Sequence, residues 1–247
     1  MQKDPIVIVG AARTPMGSFQ GSLANLDAPQ LGGHAIKAAL SRSGVPAEDI
    51  QDLIMGLCLF AGVKQAPARQ AAHNAGIPWS AGATTISKMC GSGMKATMLA
   101  HDNIVAGSHK IMIAGGMESM SNAPYLLSKA RGGYRLGAGD VVQDHMFIDG
   151  LEDAFDEGRL MGSYAEDTAE HYQFTRDAQD AFAIESLSRA KNAVEDGTFD
   201  REVEPISVNT RKGEKLIKTD EQPFNAAIKK ISQLNPAFRK GGTVTPA

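Results

Sequence analysis

Thr84-Thr85-Ile86-Ser87-Lys88-Met89-Cys90-Gly91-Ser92-Gly93-Met94-Lys95-Ala96 is the stretch on which the reading of this chain turns. A strand is expected over Thr84 to Met89, then a turn of small residues, then a helix over Ser92 to Ala106 closed by Gly107; Lys110 to Ala114 reads as the next strand. The same alternation recurs upstream. Pro5 to Val9, followed by Gly10-Ala11-Ala12, is expected to be a strand buried on both faces. Asp27 caps a helix with Leu31, Ala35, Ala38 and Leu40 on its apolar side, and Gly44 and Pro46 stop it. Asp52 to Leu59 reads as a second strand and Gln65 to Ala75 as a short alanine-rich helix. Strands alternating with helices imply a layered α/β domain with a mainly parallel sheet.

The chain has 247 residues, 43% of them hydrophobic and 21% charged, which places it among globular proteins holding one large domain or two ordinary ones. The longest early apolar run, Ile6 to Ala12, falls far short of the roughly 20 residues that cross a bilayer, so neither a membrane span nor a secretory leader is expected. A net charge of -3 argues against nucleic acid as partner. Two cysteines, Cys58 and Cys90, build neither a disulfide framework nor a thiolate zinc site, and a reducing, cytoplasmic setting is the expectation.

Charge is unevenly spread. Residues 1–120 hold 9 Lys+Arg and 7 Asp+Glu, against 16 and 21 in 121–247. The first segment reads as a core domain and the second as an exposed subdomain, with the boundary near Ser119 to Pro124. Beyond it, Pro124 to Asp144 is a glycine- and arginine-rich excursion. Thr175 caps a helix with Ala178, Phe182, Leu187, Ala190 and Val194 expected to face inward and Gly197 ending it. Val203 to Val208 and Lys215 to Thr219, flanking Arg211-Lys212-Gly213, form a hairpin.

Several familiar sites are excluded by inspection. Ala12 stands where a dinucleotide fingerprint needs its second glycine, no Gly-Lys pair supports a phosphate loop, and the six histidines have no metal-ligand spacing. A serine elbow fails because Cys90 replaces its first glycine ahead of Ser92. That substitution puts a thiol at a strand-to-helix junction, where helix N–H groups and the helix dipole stabilise a thiolate. Gly91 and Gly93 leave room for a bulky thioester and leave backbone N–H groups for an oxyanion. The competing reading makes Cys90 a small buried hydrophobe. Cys58, inside Ile54-Met55-Gly56-Leu57-Cys58-Leu59-Phe60, reads as a core residue.

Around Cys90 the chain closely resembles the thiolases, the acetyl-CoA acetyltransferases that make or cleave 3-ketoacyl-CoA. Four further segments agree in order: Ala11-Ala12-Arg13-Thr14-Pro15, Pro67-Ala68-Arg69-Gln70, Ala114-Gly115-Gly116-Met117-Glu118-Ser119-Met120-Ser121, and Pro236-Ala237-Phe238 with Gly242-Thr243-Val244-Thr245. The resemblance implies a thiolase-like layered α/β domain with a mixed, mainly parallel sheet over 1–120, incomplete, and an inserted α+β loop domain over 121–247 that binds coenzyme A. It implies Cys90 as the acyl-accepting nucleophile, coenzyme A and acetyl-CoA as substrates rather than resident cofactors, and a homodimer or homotetramer in the intact protein. Positions matching the family's coenzyme A contacts are Leu151, Met161, Ala237 and Phe238, with Lys230 near a family serine; otherwise Leu151 and Phe238 are ordinary core and Lys230 a solvated charge.

Two departures stand out. Leu160-Met161-Gly162 replaces a frequent His-Met-Gly, and a family arginine near the adenine is replaced around Phe224, which could stack on the base. The family's Asn-Glu-Ala segment, its Gly-His-Pro histidine and its second catalytic cysteine do not occur in these 247 residues. A truncated form, inactive alone, is therefore expected. The alternatives are a noncatalytic module for coenzyme A binding or self-assembly, with Tyr125, Leu126 and Leu127 as contacts, and a ketoacyl synthase-like condensing enzyme, which the long charged insertion disfavours.

Overall fold

The computed structural model describes residues 5–137 and 142–247. They form two compact units: the described residues up to Pro124 with Asp200–Thr219, and those of Tyr125–Phe199 with Asp220–Ala247. The division departs from one drawn at residue 120 because the hairpin segment 200–219 joins the first unit.

The first unit is built on a three-stranded parallel sheet of β1 (Asp52–Gly56), β2 (Thr84–Ile86) and β3 (Met112–Gly116), in the order β2-β1-β3. Helix α1 (Ala28–Ser43) precedes it, α2 (Pro67–Asn74) joins β1 to β2, and α3 (Ser92–Val105) joins β2 to β3. These two crossovers run in opposite directions across β1, so right-handed connections put α2 and α3 on opposite faces of the sheet. Central β1 is consequently almost wholly buried, with Leu53 and Leu57 at the heart of a core shared with Ile36, Ala68, Ala71, Ala72 and Met117. Small residues set the spacing of the layers. A Cβ on Gly56 would lie 2.5 Å from Ser92, and one on Gly116 would lie 3.2 Å from Gly93, so the start of α3 rests directly on sheet backbone.

Helix α1 begins on a reciprocal capping box between Asp27 and Gln30 and ends at Gly44 with φ of 68°, as its sequence signals require. Its buried residues are Ala28, Pro29, Gly32, Gly33, Ile36 and Ala38; of the expected Leu31, Ala35, Ala38 and Leu40, Ala38 is buried, Leu40 packs half-buried against the core, and Leu31 and Ala35 are half-buried. Gly32 and Gly33 let it approach α2 closely, while Leu31 packs with Leu23, Ile206, Val208 and Ile217. Those last three residues belong to an antiparallel hairpin within the segment 200–219. Arg42 secures the same segment by donating to the carbonyls of Ala11, Arg201, Glu202 and Val203 and pairing with Glu204.

Ile6 to Val9 is not a strand, and Ile8 is 83% exposed. Strand propensity is realised only when a ladder partner is present, and no described strand pairs with this run. On the outward face of α3, Met94, Met98 and Val105 are also exposed.

In the second unit β4 (Tyr125–Leu126) pairs with β5 (Gln143–Asp144), followed by α4 (His145–Gly150), α5 (Met161–His171) and α6 (Arg176–Glu195). After α6 the chain returns to the first unit for the hairpin of β6 (Ile206–Thr210) and β7 (Gly213–Ile217), and α7 (Gln222–Asn225) and a 3₁₀ segment, Ile228–Gln233, belong again to the second. Thr175 caps α6 by accepting from the amide of Ala178. The inward face of α6 differs from the apolar stripe expected, since Phe182 is 77% exposed and the buried residue is Asp180. Asp180 is paired with Arg176, whose guanidinium also donates to the carbonyls of Ile231 and Leu234. A buried, paired carboxylate thus takes the place that periodicity assigns to an apolar side chain.

Candidate active site

The carboxyl ends of β1, β2 and β3 open onto three loops, the edge at which parallel sheets commonly place their ligands. From β1 comes Cys58, from β2 the turn Lys88-Met89-Cys90-Gly91, and from β3 Glu118. Strand β2 ends at Ile86, three residues short of the expected Met89, because Lys88 to Gly91 fold into a tight turn instead. Gly91 donates to the carbonyl of Lys88 and Ser92 to that of Met89, and the Ser92 hydroxyl accepts from the amide of Lys88 (2.7 Å). Met89 sits at φ 50°, a left-handed conformation that costs a methionine about 1–3 kcal/mol and marks a place where the backbone is held for a purpose. The result is an exposed Cys90 immediately before the first turn of α3. Its alternative role as a buried hydrophobe is thereby removed.

Cys58 is different. Glu118 receives its backbone N–H at 2.8 Å and that of Leu59 at 3.3 Å. Burial first, then the negative charge of Glu118 and a hydrogen bond to it, and then the neighbouring Cys90, push the Cys58 thiol up to about 11, with a hydrogen bond to Ser92 working the other way. Cys58 therefore stays a thiol at neutral pH. Glu118 carries no motif of its own in the sequence; its one signal is that it is among only seven acidic residues in 1–120 and stands two residues beyond β3.

The described histidines are engaged elsewhere: His34 with the Pro205 carbonyl, His73 with Trp79, His101 with Asp102, His109 with Asp52, His145 with Asp149, and His171 with Tyr172.

In the second unit, four of the six expected ligand positions gather at the start of α5. Met161 donates to the carbonyl of Leu151 at 3.0 Å, and Gly162 lies against the ring of Phe238, which a Cβ there would overlap. Ala237 donates to the carbonyl of Val244 at 2.9 Å and so closes the loop that carries Phe238. Leu151 is half-buried, whereas Met161, Ala237 and Phe238 are exposed. Phe238 is thus not a core residue. Phe224 and Lys230 lie on α7 and the 3₁₀ segment, which pack on α6; Lys191 stands over the Phe224 ring at 5.9 Å, and Lys230 is exposed.

The thiolase N-terminal domain model matches residues 6–247. The acetyl-CoA acetyltransferase of Cupriavidus necator is 49% identical over 244 residues, covering 98% of this chain and 62% of that protein. That of Pseudomonas aeruginosa is 48% identical over 242 residues, covering 97% and 61%. Among solved structures, the acetyl-CoA acetyltransferase of Syntrophomonas wolfei superposes with a TM-score of 0.88 at 42% identity, covering 97% of this chain and 60% of that one. A thiolase from Ascaris suum, solved in complex with coenzyme A, gives 0.89 at 40% identity, with 96% and 60% covered. The chain thus spans about 60% of the length of the relatives it matches, and a family match running from Ile6 to the last residue makes it a member of the thiolase family.

Proposed function

We propose that this chain carries the acyl-accepting half of an acetyl-CoA acetyltransferase, with Cys90 as nucleophile. The observation that carries the reading is the exposed thiol on a strained turn at the head of α3, in a chain nearly half identical to proteins of that activity. The Cys90 Sγ attacks the acetyl carbonyl of acetyl-CoA. A bond from sulfur to the acyl carbon forms, the bond from that carbon to the coenzyme A sulfur breaks, and the thiol proton leaves with coenzyme A as its free thiol. Gly91 and Gly93 give the carbonyl access, and backbone N–H groups at the start of α3 are the donors for its oxyanion. In the intact protein a second coenzyme A species accepts the acyl group; when it is acetyl-CoA, acting through its carbanion, the product is acetoacetyl-CoA.

Coenzyme A is assigned to Leu151, Met161, Ala237 and Phe238, with Phe224 stacking on its base and Lys230 near its charged groups. The oligomer, a dimer or tetramer of identical subunits, belongs to the same reading, as does a cytoplasmic setting.

Turnover needs a base for the nucleophile and one for the incoming acetyl-CoA. The described histidines have other partners, and Cys58 is held protonated. Each missing acid–base contribution costs about 10²- to 10⁴-fold. The 247 residues alone are therefore expected to acylate once, slowly, and not to cycle. Acetoacetyl-CoA cleavage by the chain at the rate of an intact thiolase would refute this. The second reading, a noncatalytic coenzyme A module, is favoured by the same engagement of the described histidines elsewhere, and predicts coenzyme A binding with no acyl group on Cys90.

A further inference from the structure

Glu166, in the middle of α5, is 3% exposed. A carboxylate shut away from water is retained where its lone pairs are taken up. Its Oε1 accepts from the amides of Thr243 (3.1 Å) and Val244 (2.9 Å), and its Oε2 from Thr243 (2.9 Å). Val244 is the residue whose carbonyl accepts from Ala237, so the loop 237–244 closes at a neck, and Glu166 grips one side of that neck. One turn earlier on the same face of α5, Gly162 supports the ring of Phe238. Gly242 is bare where a Cβ would overlap the Glu166 carboxylate. Arg239, paired with Asp167 and Glu170, and Gln179, donating to the Thr243 hydroxyl at 2.9 Å, tie the loop from outside. Helix α5 therefore holds the loop at two facing points, the aromatic ring on Gly162 and two consecutive amides on Glu166.

We propose that Glu166 is a positioning residue for the thioester ligand: by fixing the amides of Thr243 and Val244 it sets where Ala237 and Phe238 stand, and so the affinity for coenzyme A. This rests on the reading of Ala237 and Phe238 as coenzyme A contacts. A carboxylate suits the task because both oxygens accept. Glutamine offers one acceptor and turns an NH₂ donor toward the same amides.

The test measures coenzyme A binding to the 247-residue chain by calorimetry, alongside amide hydrogen exchange, for the unsubstituted chain, Glu166→Gln and Gly162→Ala. Glu166→Gln is expected to weaken binding about tenfold, with faster exchange confined to 237–244 and an unchanged rate of Cys90 alkylation by iodoacetamide. Gly162→Ala, which displaces the Phe238 ring and leaves the Glu166 amides held, is expected to weaken binding without faster exchange at Thr243 and Val244. Unchanged affinity in Glu166→Gln despite faster exchange at those amides overturns the positioning role and leaves the ligand reading standing. If Glu166→Gln does not fold, unchanged affinity in Gly162→Ala overturns it instead. Absence of binding by the unsubstituted chain removes the ligand reading, and the positioning role with it.

Discussion

At Cys58 and Cys90 two side chains of one type have been given opposite characters by their surroundings. Cys90 is presented to solvent by a turn whose strain sits on Met89, whereas Cys58 is half-buried beside a carboxylate. Alkylation with iodoacetamide followed by peptide mass mapping should place the label on Cys90 at pH 7 to 9, with Cys58 reacting only as pH approaches about 11. The sign follows from the raised thiol: the protonated form persists in the folded chain, while an unfolded chain releases its proton near 9.0. Stability contributed by this group is therefore intact below pH 9 and declines between about 9 and 11. Early labelling of Cys58 would contradict the environment described for it. The placement of Cys90 at the head of α3 was legible in the sequence because it depends on local order, a strand, small residues and a helix. The setting of Cys58 was not, because Glu118 reaches it from 60 residues away.

Among the elements, helix ends were the most legible, since caps are written in adjacent residues. Asp27 and Gln30 at the start of α1 and Thr175 at the start of α6 act as their types dictate. Replacing Asp27 by alanine should cost about 0.5–2 kcal/mol, read from urea unfolding followed by fluorescence of Trp79, the chain's single tryptophan, which lies in the same unit. Faces were less legible than ends. Periodicity ranks side chains by hydropathy, but α1 buries glycine and alanine where backbones meet, and α6 buries an ion pair. The same close approach makes Gly56→Ala a sharper test. Its methyl group would meet the start of α3 at 2.5 Å, so the variant should lose about 1–3 kcal/mol and shift the turn that presents Cys90, slowing or redirecting its alkylation. Wild-type stability and alkylation in Gly56→Ala would show that the helix does not bear on the sheet as described.

At the scale of the whole molecule, the alternation of strands and helices was enough to identify a layered α/β domain, and the step in charge density falls beside the change of unit at Pro124. What linear reading missed depends on partners distant in sequence. Ile6 to Val9 has the composition of a strand and no described strand beside it, while residues 200–219 lie in the charged half and fold with the first unit through Arg42 and the Leu23 cluster. The candidate site divides in the same way: Cys90 and the loop 237–244 were visible as motifs, whereas Glu166, which holds that loop, gives no signal beyond an acid within a helix. The central claim is that Cys90 accepts an acyl group from a coenzyme A thioester. Incubating the chain with acetyl-CoA and mapping its peptides by mass spectrometry tests it most directly. The account predicts one acetyl group, removable by hydroxylamine as a thioester is, on the peptide containing Cys90 and absent from Cys90→Ser. An acetyl group on Cys58 instead, or none in a chain that binds coenzyme A, would contradict it.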